Sequence, residues 1–587
     1  MQLPRLTSAS KRTTLLLYIL IGVLVLFALR LFYLQVIRHG HYTYLAQQTQ
    51  VSKLTIVPER GKIYALDGNQ PVPLVLNQTV FTVFADPQEV EDKNAVTRAM
   101  SEIAGGNVVD GYQERLDDEE LRYVVMGRQL SREQAEKLQA KKLAGVGFQK
   151  GSRRDYPEGQ LGSQMLGYVD SEGEGKYGLE GFLNSRLAGK QGLLETVTDV
   201  RQIPLTIGDS DTSRPAVNGD NLLLSIDRNI QQQTEQVLKD GLAKAKATKG
   251  SVIVMDPNTG RVMAMANYPT YDANKYAEVE DYRLFLNSVV NEPYEVGSVM
   301  KVLTMGAGLD SGAVTVNSTF NDISGCTTVD GERICNVEED PRQAVATMAD
   351  TLQYSLNTGV VHILERMGGG SVNQQARQKL YDYYAGRYRF DKLTGIEQSF
   401  EADSILVGPN SGQGRNVRYA NMAFGQGMNL TMIQTAAAFS AAMNGGTYYQ
   451  PTLVKGTIAD DGTVKEQAPK VVATGVLSVG ASNELREMTY QGRHKGFFGK
   501  LDPAGYKIGG KTGTSQIIDP KTGKYSDDNS IGSYLGFGGS DKPQYVIMVR
   551  VEDSKLTTGY AGTVAAGPIF NELSNWMLSY LEIPPKN

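Results

Sequence analysis

The residues best suited to chemistry form a Ser-x-x-Lys pair, Ser298-Val-Met-Lys301, at the head of the apolar run Val302–Leu309. Positions three apart share one face of a helix, so the lysine amine can reach the serine hydroxyl. A serine hydroxyl is a weak nucleophile until a neighbouring base takes its proton. Lysine serves as that base only when neutral, so its pKa must fall from about 10.4 toward 7, at a cost of roughly 4–5 kcal/mol. The pair predicts acyl transfer, with Ser298 as nucleophile and Lys301 as base.

Two further motifs carry polar groups that could serve the same reaction. Ser355-Leu-Asn357 offers a hydroxyl that can relay a proton and an amide that can hold a substrate amide. Lys511-Thr512-Gly513-Thr514 offers a cation and two hydroxyls that can grip a carboxylate, and its glycine lets a substrate approach the backbone closely. Each of the three motifs is weak alone, because each has a second copy in the chain: Ser8–Lys11, Ser371–Asn373 and Lys521–Gly523.

The order and spacing of the motifs make the prediction much stronger. They occur as Ser-x-x-Lys, Ser-x-Asn and Lys-Thr-Gly, the set used by penicillin-recognising serine enzymes. The intervals are 355 − 298 = 57 and 511 − 355 = 156 residues, within one domain-sized stretch.

Other chemistries fit the sequence less well. Gly505–Thr512 matches the phosphate-loop pattern Gly-x4-Gly-Lys-Thr, but such a loop follows an apolar strand and opens a helix. The preceding stretch, Arg493–Gly505, is polar, and the following Gly513–Pro520 reads as a strand and a turn. The chain has only four histidines and no Gly-x-Ser-x-Gly motif, which disfavours a histidine-based triad. A net charge of −5 gives no electrostatic case for binding nucleic acid.

The two cysteines, Cys326 and Cys335, cannot supply a four-ligand zinc site. They flank Val329–Gly331 and could face each other across a hairpin. A disulfide is expected if this part of the chain lies outside the cytoplasm, and two free thiols are the equal alternative.

The N-terminal region contains a candidate membrane anchor. Thr13–Leu29 is uncharged and mostly apolar, and Leu31–Ile37 continues the run beyond Arg30. About 20 apolar residues span a bilayer. A cleaved signal peptide would have a shorter apolar region and a small-x-small cleavage site, so we expect an uncleaved, single-pass signal anchor. Basic residues precede the span and no acidic residue occurs before Glu59, which favours a cytoplasmic N-terminus and an extracytoplasmic remainder.

The elements that must position the motifs predict an α+β fold. Beyond Leu222 the pattern indicates a helix, then a β-hairpin, a long stretch of helical periodicity, several strands and a closing helix: Arg228–Lys246, 251–255 with 262–266, 298–445, Tyr506–Ile518, Ile531–Phe537, Tyr545–Val551 and Leu573–Leu581. Strands at both ends with helices between them predict one antiparallel sheet flanked by helices, with a helical subdomain.

The length of 587 residues allows two to four domains. Residues 38–218 mix strand-like runs with charged helical stretches and carry no catalytic constellation, and the polar, turn-rich Gly208–Asn221 is typical of a linker. We therefore predict four segments: a cytoplasmic tail at 1–12, a transmembrane anchor at 13–37, a non-catalytic, elongated pedestal or dimerisation domain at 38–218, and a catalytic domain at 219–587.

The chain resembles a class B penicillin-binding protein from the anchor almost to the C-terminus. Arg60–Gly68 is similar to the family's Arg-Gly-x-Ile-x-Asp-x-x-Gly segment with slightly altered spacing, and Gly178-Leu-Glu180 is similar to a pedestal motif. Ser225-Ile-Asp227 resembles the opening of the transpeptidase domain, and Gly425-Gln-Gly427 resembles a further family block. The chain departs from the family in having Val296 where proline is usual and Tyr354 where serine is frequent.

The resemblance implies a peptidoglycan D,D-transpeptidase that is inhibited by β-lactams and needs no metal and no organic cofactor. Ser298 would attack a stem peptide ending in D-Ala-D-Ala, with Lys301 as base and with Ser355 and Lys511 in the proton network. Four residues would bind the substrate: Asn357, Thr512, Gly513 and Thr514. The backbone N–H groups of Ser298 and Thr514 would form the oxyanion hole.

The same resemblance implies several partners: peptidoglycan stem peptides, β-lactams, the bacterial cell membrane, and a polytopic glycan polymerase of the division or elongation machinery. Three related activities share the motifs. A β-lactamase needs neither anchor nor pedestal, a D,D-carboxypeptidase would pass the acyl group to water, and a non-catalytic β-lactam sensor would do no wall chemistry. The motifs are common to septal and elongation enzymes.

Overall fold

The computed structural model describes residues 11–42, 51–197, 212–337, 344–518, 525–554 and 560–586. The fold is mixed α+β, and the chain divides into two units. The first unit comprises residues 1–59 and 189–219, and the second comprises residues 60–188 and 220–587.

The first unit contains the apolar N-terminal helix, Lys11–Phe32, which continues as a π-helical turn, Tyr33–Ile37. The apolar stretch Thr13–Ile37 is 25 residues long and exposed, which is long and apolar enough to cross a membrane. The unit also contains a three-stranded antiparallel sheet, in the order Val51–Ile56, Gly192–Val197, Thr212–Arg214.

A five-stranded antiparallel sheet forms the centre of the second unit. We number its strands in chain order β1 to β5: Lys249–Met255, Val262–Tyr268, Lys507–Ile518, Tyr525–Gly539 and Pro543–Glu552. Their order across the sheet is β2-β1-β5-β4-β3, so β3 lies at an edge. The predicted hairpin is β1–β2, and the three predicted C-terminal strands are β3, β4 and β5.

Both faces of this sheet are covered. In β5 alternate residues belong to two separate cores, Met548 to one and Val549 to the other, as the two-residue period of a strand requires. The first face packs against the helix Met432–Met443, which is buried along its whole length. The second face packs against two helices, Arg228–Ala245 and Gly567–Tyr580. The sheet is therefore covered on both faces, and β3 forms one of its two edges.

Three helices carry or adjoin the first two motifs, and we number them in chain order: α1, Met300–Asp310; α2, Met348–Gln353; and α3, Asn357–Met367. The helix Val479–His494 packs against β3 itself. Further helices in the described part of residues 220–587 are Ser288–Asn291, Gln374–Tyr381 and Asn416–Met422. Short strand pairs are Thr319–Asn321 with Val345–Thr347, Cys326–Val329 with Glu332–Cys335, and Tyr448–Tyr449 with Val471–Ala473.

A second sheet, of seven strands, joins residues from both sides of position 218. Asn221–Asp227 runs parallel to Ile63–Asp67 and antiparallel to Val454–Ile458, and Ile63–Asp67 pairs with Gln70–Ala85. The sheet is completed by Val124–Leu130, Val146–Asp155 and Val464–Glu466. Helices beside it include Lys93–Ile103, Tyr112–Leu116, Arg132–Ala140, Ser163–Leu166, Gly178–Phe182 and Asn184–Leu187. The functional division at 218/219 stays a prediction.

A buried ion cluster ties residues 60–188 together. The fully buried Glu180 carboxylate accepts hydrogen bonds from Arg60 Nε at 2.9 Å and from Arg154 Nε at 2.6 Å. Asn184 Oδ1 accepts a further bond from Arg60 at 2.8 Å, and Asn77 Oδ1 accepts one from Arg154 at 2.7 Å. A buried carboxylate needs such partners to offset its lost hydration, so this cluster explains the Arg60 and Glu180 motifs structurally.

Candidate active site

The three sequence motifs meet at one cleft of about 430 Å³ beside the β3 edge. Its described lining contains seven of the eight predicted site residues: Ser298, Lys301, Ser355, Asn357, Lys511, Thr512 and Thr514. The other described lining residues are Val337, Gln353, Tyr354, Phe424, Gln426, Ser515, Gln516, Tyr560 and Thr563. This described lining includes two lysines and no acidic side chain, so the cleft suits a ligand that carries a carboxylate.

Lys301 lies at the buried centre of the cleft. Ser298 sits in a 3-10 turn, Gly297–Val299, that leads directly into α1, so the two residues share the first helical turns. The Lys301 side chain is 1% exposed, and its Nζ donates to Ser355 Oγ at 3.1 Å and to the Ser355 carbonyl oxygen. Burial disfavours the charged form of an amine. The role of Lys301 as general base stays a prediction.

Ser355 lies in a break between α2 and α3. The helical periodicity of residues 298–445 is interrupted here, because α2 ends at Gln353 and α3 begins at Asn357. Ser355 has φ +60°, a left-handed conformation that is uncommon for a residue other than glycine. This conformation brings both the hydroxyl and the carbonyl oxygen of Ser355 to Lys301. Such backbone strain is typical of functional sites.

Asn357 opens α3 and holds a disulfide-closed hairpin. Cys326 and Cys335 are bonded to each other, the first of the two alternatives that the sequence allows. Asn357 Nδ2 donates to the Cys335 carbonyl oxygen at 2.8 Å. Beside it, Asn336 Oδ1 accepts from the Thr358 backbone N–H at 3.0 Å. Sequence reasoning missed this hydrogen bond from Thr358 to Asn336, since no residue pattern in 326–336 indicates contact with the Ser-x-Asn motif.

Lys511 lies inside β3, with its side chain 6% exposed. Its Nζ contacts Thr512 at both the carbonyl oxygen, 3.2 Å, and the hydroxyl, 3.3 Å. Because the chain continues as a strand as far as Ile518, the phosphate-loop alternative is excluded. The second Lys-Thr-Gly, Lys521–Gly523, lies outside the described residues.

Gly513 is buried between backbone segments and is the one predicted site residue that does not line the cleft. A Cβ at Gly513 would lie 2.7 Å from the Val296 carbonyl oxygen. A Cβ at Gly297, where φ is +63°, would lie 2.7 Å from the Thr514 carbonyl oxygen. The two glycines therefore let β3 pack backbone to backbone against residues 294–298, which we call the nucleophile segment after the predicted role of Ser298. Binding of substrate by Gly513 stays a prediction.

The loop around Gly425 forms a further wall of the cleft. The Gly297 N–H donates to the Gly425 carbonyl oxygen at 3.1 Å, and the Gly427 N–H donates to Glu295 Oε1 at 2.7 Å. Phe424 and Gln426 reach the lining from this loop. The Gly-Gln-Gly motif was visible in the sequence, but only the fold shows that its backbone is hydrogen-bonded to Glu295 and Gly297, just before Ser298.

Comparison with known families agrees with this geometry. The model of the penicillin-binding protein transpeptidase domain matches residues 250–575, which is more than half of the chain. The chain belongs to the penicillin-binding protein transpeptidase family. The model of the penicillin-binding protein dimerisation domain matches residues 55–224. The predicted family, its α+β fold and its class of enzyme, a serine-type transpeptidase, are thereby confirmed.

Two relatives and one solved structure illustrate how far the family likeness extends. The chain is 31% identical to stage V sporulation protein D of Bacillus subtilis, over 99% of this chain and 88% of that protein. It is 27% identical to the peptidoglycan D,D-transpeptidase FtsI homolog of Mesostigma viride, over 95% of this chain and 93% of that protein. The crystal structure of penicillin-binding protein 2X from Streptococcus thermophilus has the same fold, with a TM-score of 0.72 at 22% identity, and covers 90% of this chain and 80% of that one.

Proposed function

We propose that this transpeptidase cross-links peptidoglycan stem peptides through an acyl-enzyme on Ser298. The observation that carries the proposal is the meeting of three motifs around the buried amine of Lys301. Ser298 Oγ attacks the penultimate carbonyl of a stem peptide ending in D-Ala-D-Ala, and Lys301 takes the hydroxyl proton. The terminal D-Ala leaves with a proton, and the acyl group then passes to the amine of a neighbouring stem peptide.

The remaining site residues carry the proton and hold the donor. Ser355, which is hydrogen-bonded to Lys301, transfers a proton to the leaving amine. Lys511 belongs to the same proton network. Lys511, Thr512 and Thr514 grip the terminal carboxylate from β3. Asn357 positions the peptide.

The oxyanion hole consists of two backbone N–H groups, those of Ser298 and Thr514, each typically worth about 10²–10³ in rate. The close packing of Gly297 on the Thr514 backbone supports this pairing. A β-lactam acylates the same serine. All steps use side chains and backbone of this chain.

The placement of the chain follows from the anchor. The span at 13–37 holds the protein in the bacterial cell membrane as a single pass, with residues 1–12 in the cytoplasm and the catalytic domain outside. The disulfide supports an oxidising compartment for that domain. Residues 38–218 serve as pedestal and residues 219–587 as catalytic domain. A polytopic glycan polymerase of the division or elongation machinery is the partner expected to touch the span and pedestal.

Labelling of the full-length protein with fluorescent penicillin tests the nucleophile. Ser298→Ala should abolish labelling, and Lys301→Ala should slow it by about 10²–10⁴, the usual range for a positioned base. Ser355→Ala should also slow labelling, since Ser355 lies in the proposed proton network. Ser371→Ala, in the second Ser-x-Asn copy, is its matched control and should label at the wild-type rate. Labelling that survives Ser298→Ala would contradict the mechanism.

Product analysis with stem peptides separates the three candidate activities. A transpeptidase releases D-Ala and forms a cross-linked dimer. A D,D-carboxypeptidase releases D-Ala without dimer, and a β-lactam sensor does neither.

A further inference from the structure

A row of buried polar residues crosses the five-stranded sheet and ends at the active-site strand. One residue from each strand stands directly opposite its neighbours in register: Asn267 in β2, Ser251 in β1, Arg550 in β5, Ser533 in β4 and Gly513 in β3. The four side chains of this row are each less than a tenth exposed. Buried polar groups lower stability unless they are paired, so each side chain of this row needs a hydrogen-bond or ion-pair partner.

Arg550 is the charged centre of the polar row. Its guanidinium forms ion pairs with Glu552 at 3.0 Å and with Glu292 at 3.4 Å. It also lies over the ring of Tyr294, with Cζ 4.3 Å from the ring centroid. A buried cation held against an aromatic face restrains the position of that ring.

Tyr294 connects the polar row to the nucleophile. Its hydroxyl lies 2.9 Å from Ser533 Oγ, and Ser533 stands opposite Gly513 and one position from the partner of Thr514. Burial raises the pKa of Tyr294 to about 12. Tyr294 lies four residues before Ser298, and its backbone exchanges two hydrogen bonds with Leu430, at 3.0 and 2.9 Å.

The short segment between Tyr294 and Ser298 has little freedom of its own. The Val296 carbonyl oxygen lies against the Cα of Gly513, and Gly297 lies against the Thr514 backbone. The contact between Tyr294 and Ser533 therefore adds a restraint on how closely the nucleophile segment approaches β3.

We propose that Tyr294 is a positioning residue for acyl transfer, whose bond to Ser533 sets the separation between the backbone N–H groups of Ser298 and Thr514. This inference rests on the proposed acylation of Ser298. Enzyme sites require placement within about 0.5 Å. Loss of the Tyr294 hydroxyl should therefore misplace the oxyanion hole while the substrate still binds.

The test measures the acylation rate constant and the dissociation constant of fluorescent penicillin separately, from the concentration dependence of labelling, on the full-length protein. Tyr294→Phe and Ser533→Ala should each lower the rate constant about tenfold and leave the dissociation constant within twofold. The double variant should match the single ones, because both remove the same hydrogen bond.

Tyr545→Phe is the matched control. Tyr545 is also a buried tyrosine, and its hydroxyl bonds Ser574 on the opposite face of the sheet. This variant should lose stability similarly and keep the wild-type acylation rate.

Three outcomes would overturn the inference: wild-type rates in Tyr294→Phe, an equal loss of rate in Tyr545→Phe, or losses that multiply in the double variant. Labelling that persists in Ser298→Ala would instead refute the proposed function itself.

Discussion

A methyl group added at Gly513 should slow acylation without unfolding the protein. The new Cβ would lie 2.7 Å from the Val296 carbonyl oxygen and 3.1 Å from Val299 Cγ1, whereas ordinary contact begins at 3.4 Å. The Val296 neighbour is backbone, so no flexible side chain can move aside. On another side Gly562 approaches so closely that its own Cβ would lie 2.2 Å from the Gly513 carbonyl oxygen. Because β3 cannot retreat, the nucleophile segment must move, by roughly 0.5–1 Å.

The size of that displacement gives the expected loss. A misplacement of about 1 Å can cost about 10² in rate, so Gly513→Ala should lower the acylation rate constant by about 10- to 100-fold. Overpacking of this kind costs about 1–3 kcal/mol of stability, which a thermal melt would show as a lower but still cooperative transition.

Gly480→Ala is the control for this substitution. Gly480 lies in the helix Val479–His494, and a Cβ there would have no heavy atom within 4 Å. Alanine in a helix is favoured over glycine by roughly 0.5–1 kcal/mol, so this variant should be slightly more stable and acylate at the wild-type rate. A folded Gly513→Ala protein that acylates within twofold of wild type would refute the reasoning. Such a result would mean that β3 and the nucleophile segment can move apart without loss of rate.

Three other predictions concern single groups. Lys511→Ala should lower the acylation rate at least about tenfold, while Lys521→Ala should stay within about twofold; equal losses in folded proteins would mean that the wrong Lys-Thr-Gly copy was chosen. Cys326→Ser should lower the free energy of unfolding by at most about 2–3 kcal/mol. It should also slow acylation, because the disulfide closes the hairpin to which Asn357 of the Ser-x-Asn motif is hydrogen-bonded. Two free thiols in the denatured, unreduced wild-type protein would contradict the presence of the disulfide. Glu180→Ala leaves two buried arginines without their carboxylate and should cost about 3–5 kcal/mol. Glu133→Ala, in an exposed ion pair, should leave the melting temperature close to that of the wild type, and thermal melts compare the two.

Much of this architecture was predictable because it depends on local patterns. The hairpin β1–β2 and the three C-terminal strands follow from short β-prone runs bounded by turns, and a single apolar stretch identifies the span at 13–37. The placement of Ser298 and Lys301 in one cleft was also predictable, since positions three apart share one face of a helix.

The tertiary structure decided everything that depends on which distant backbones touch. Ser355 reads as part of a helix, and only contact with Lys301, 54 positions earlier, explains its left-handed conformation. Glycine at 513 suggested a close approach to the backbone, and only the fold shows that the Val296 carbonyl is one group that comes close. The polar row could not be read from the sequence at all, because register across five strands pairs residues up to hundreds of positions apart. Local periodicity encodes where a side chain points along its own element, but the neighbour it meets depends on the packing of the whole chain.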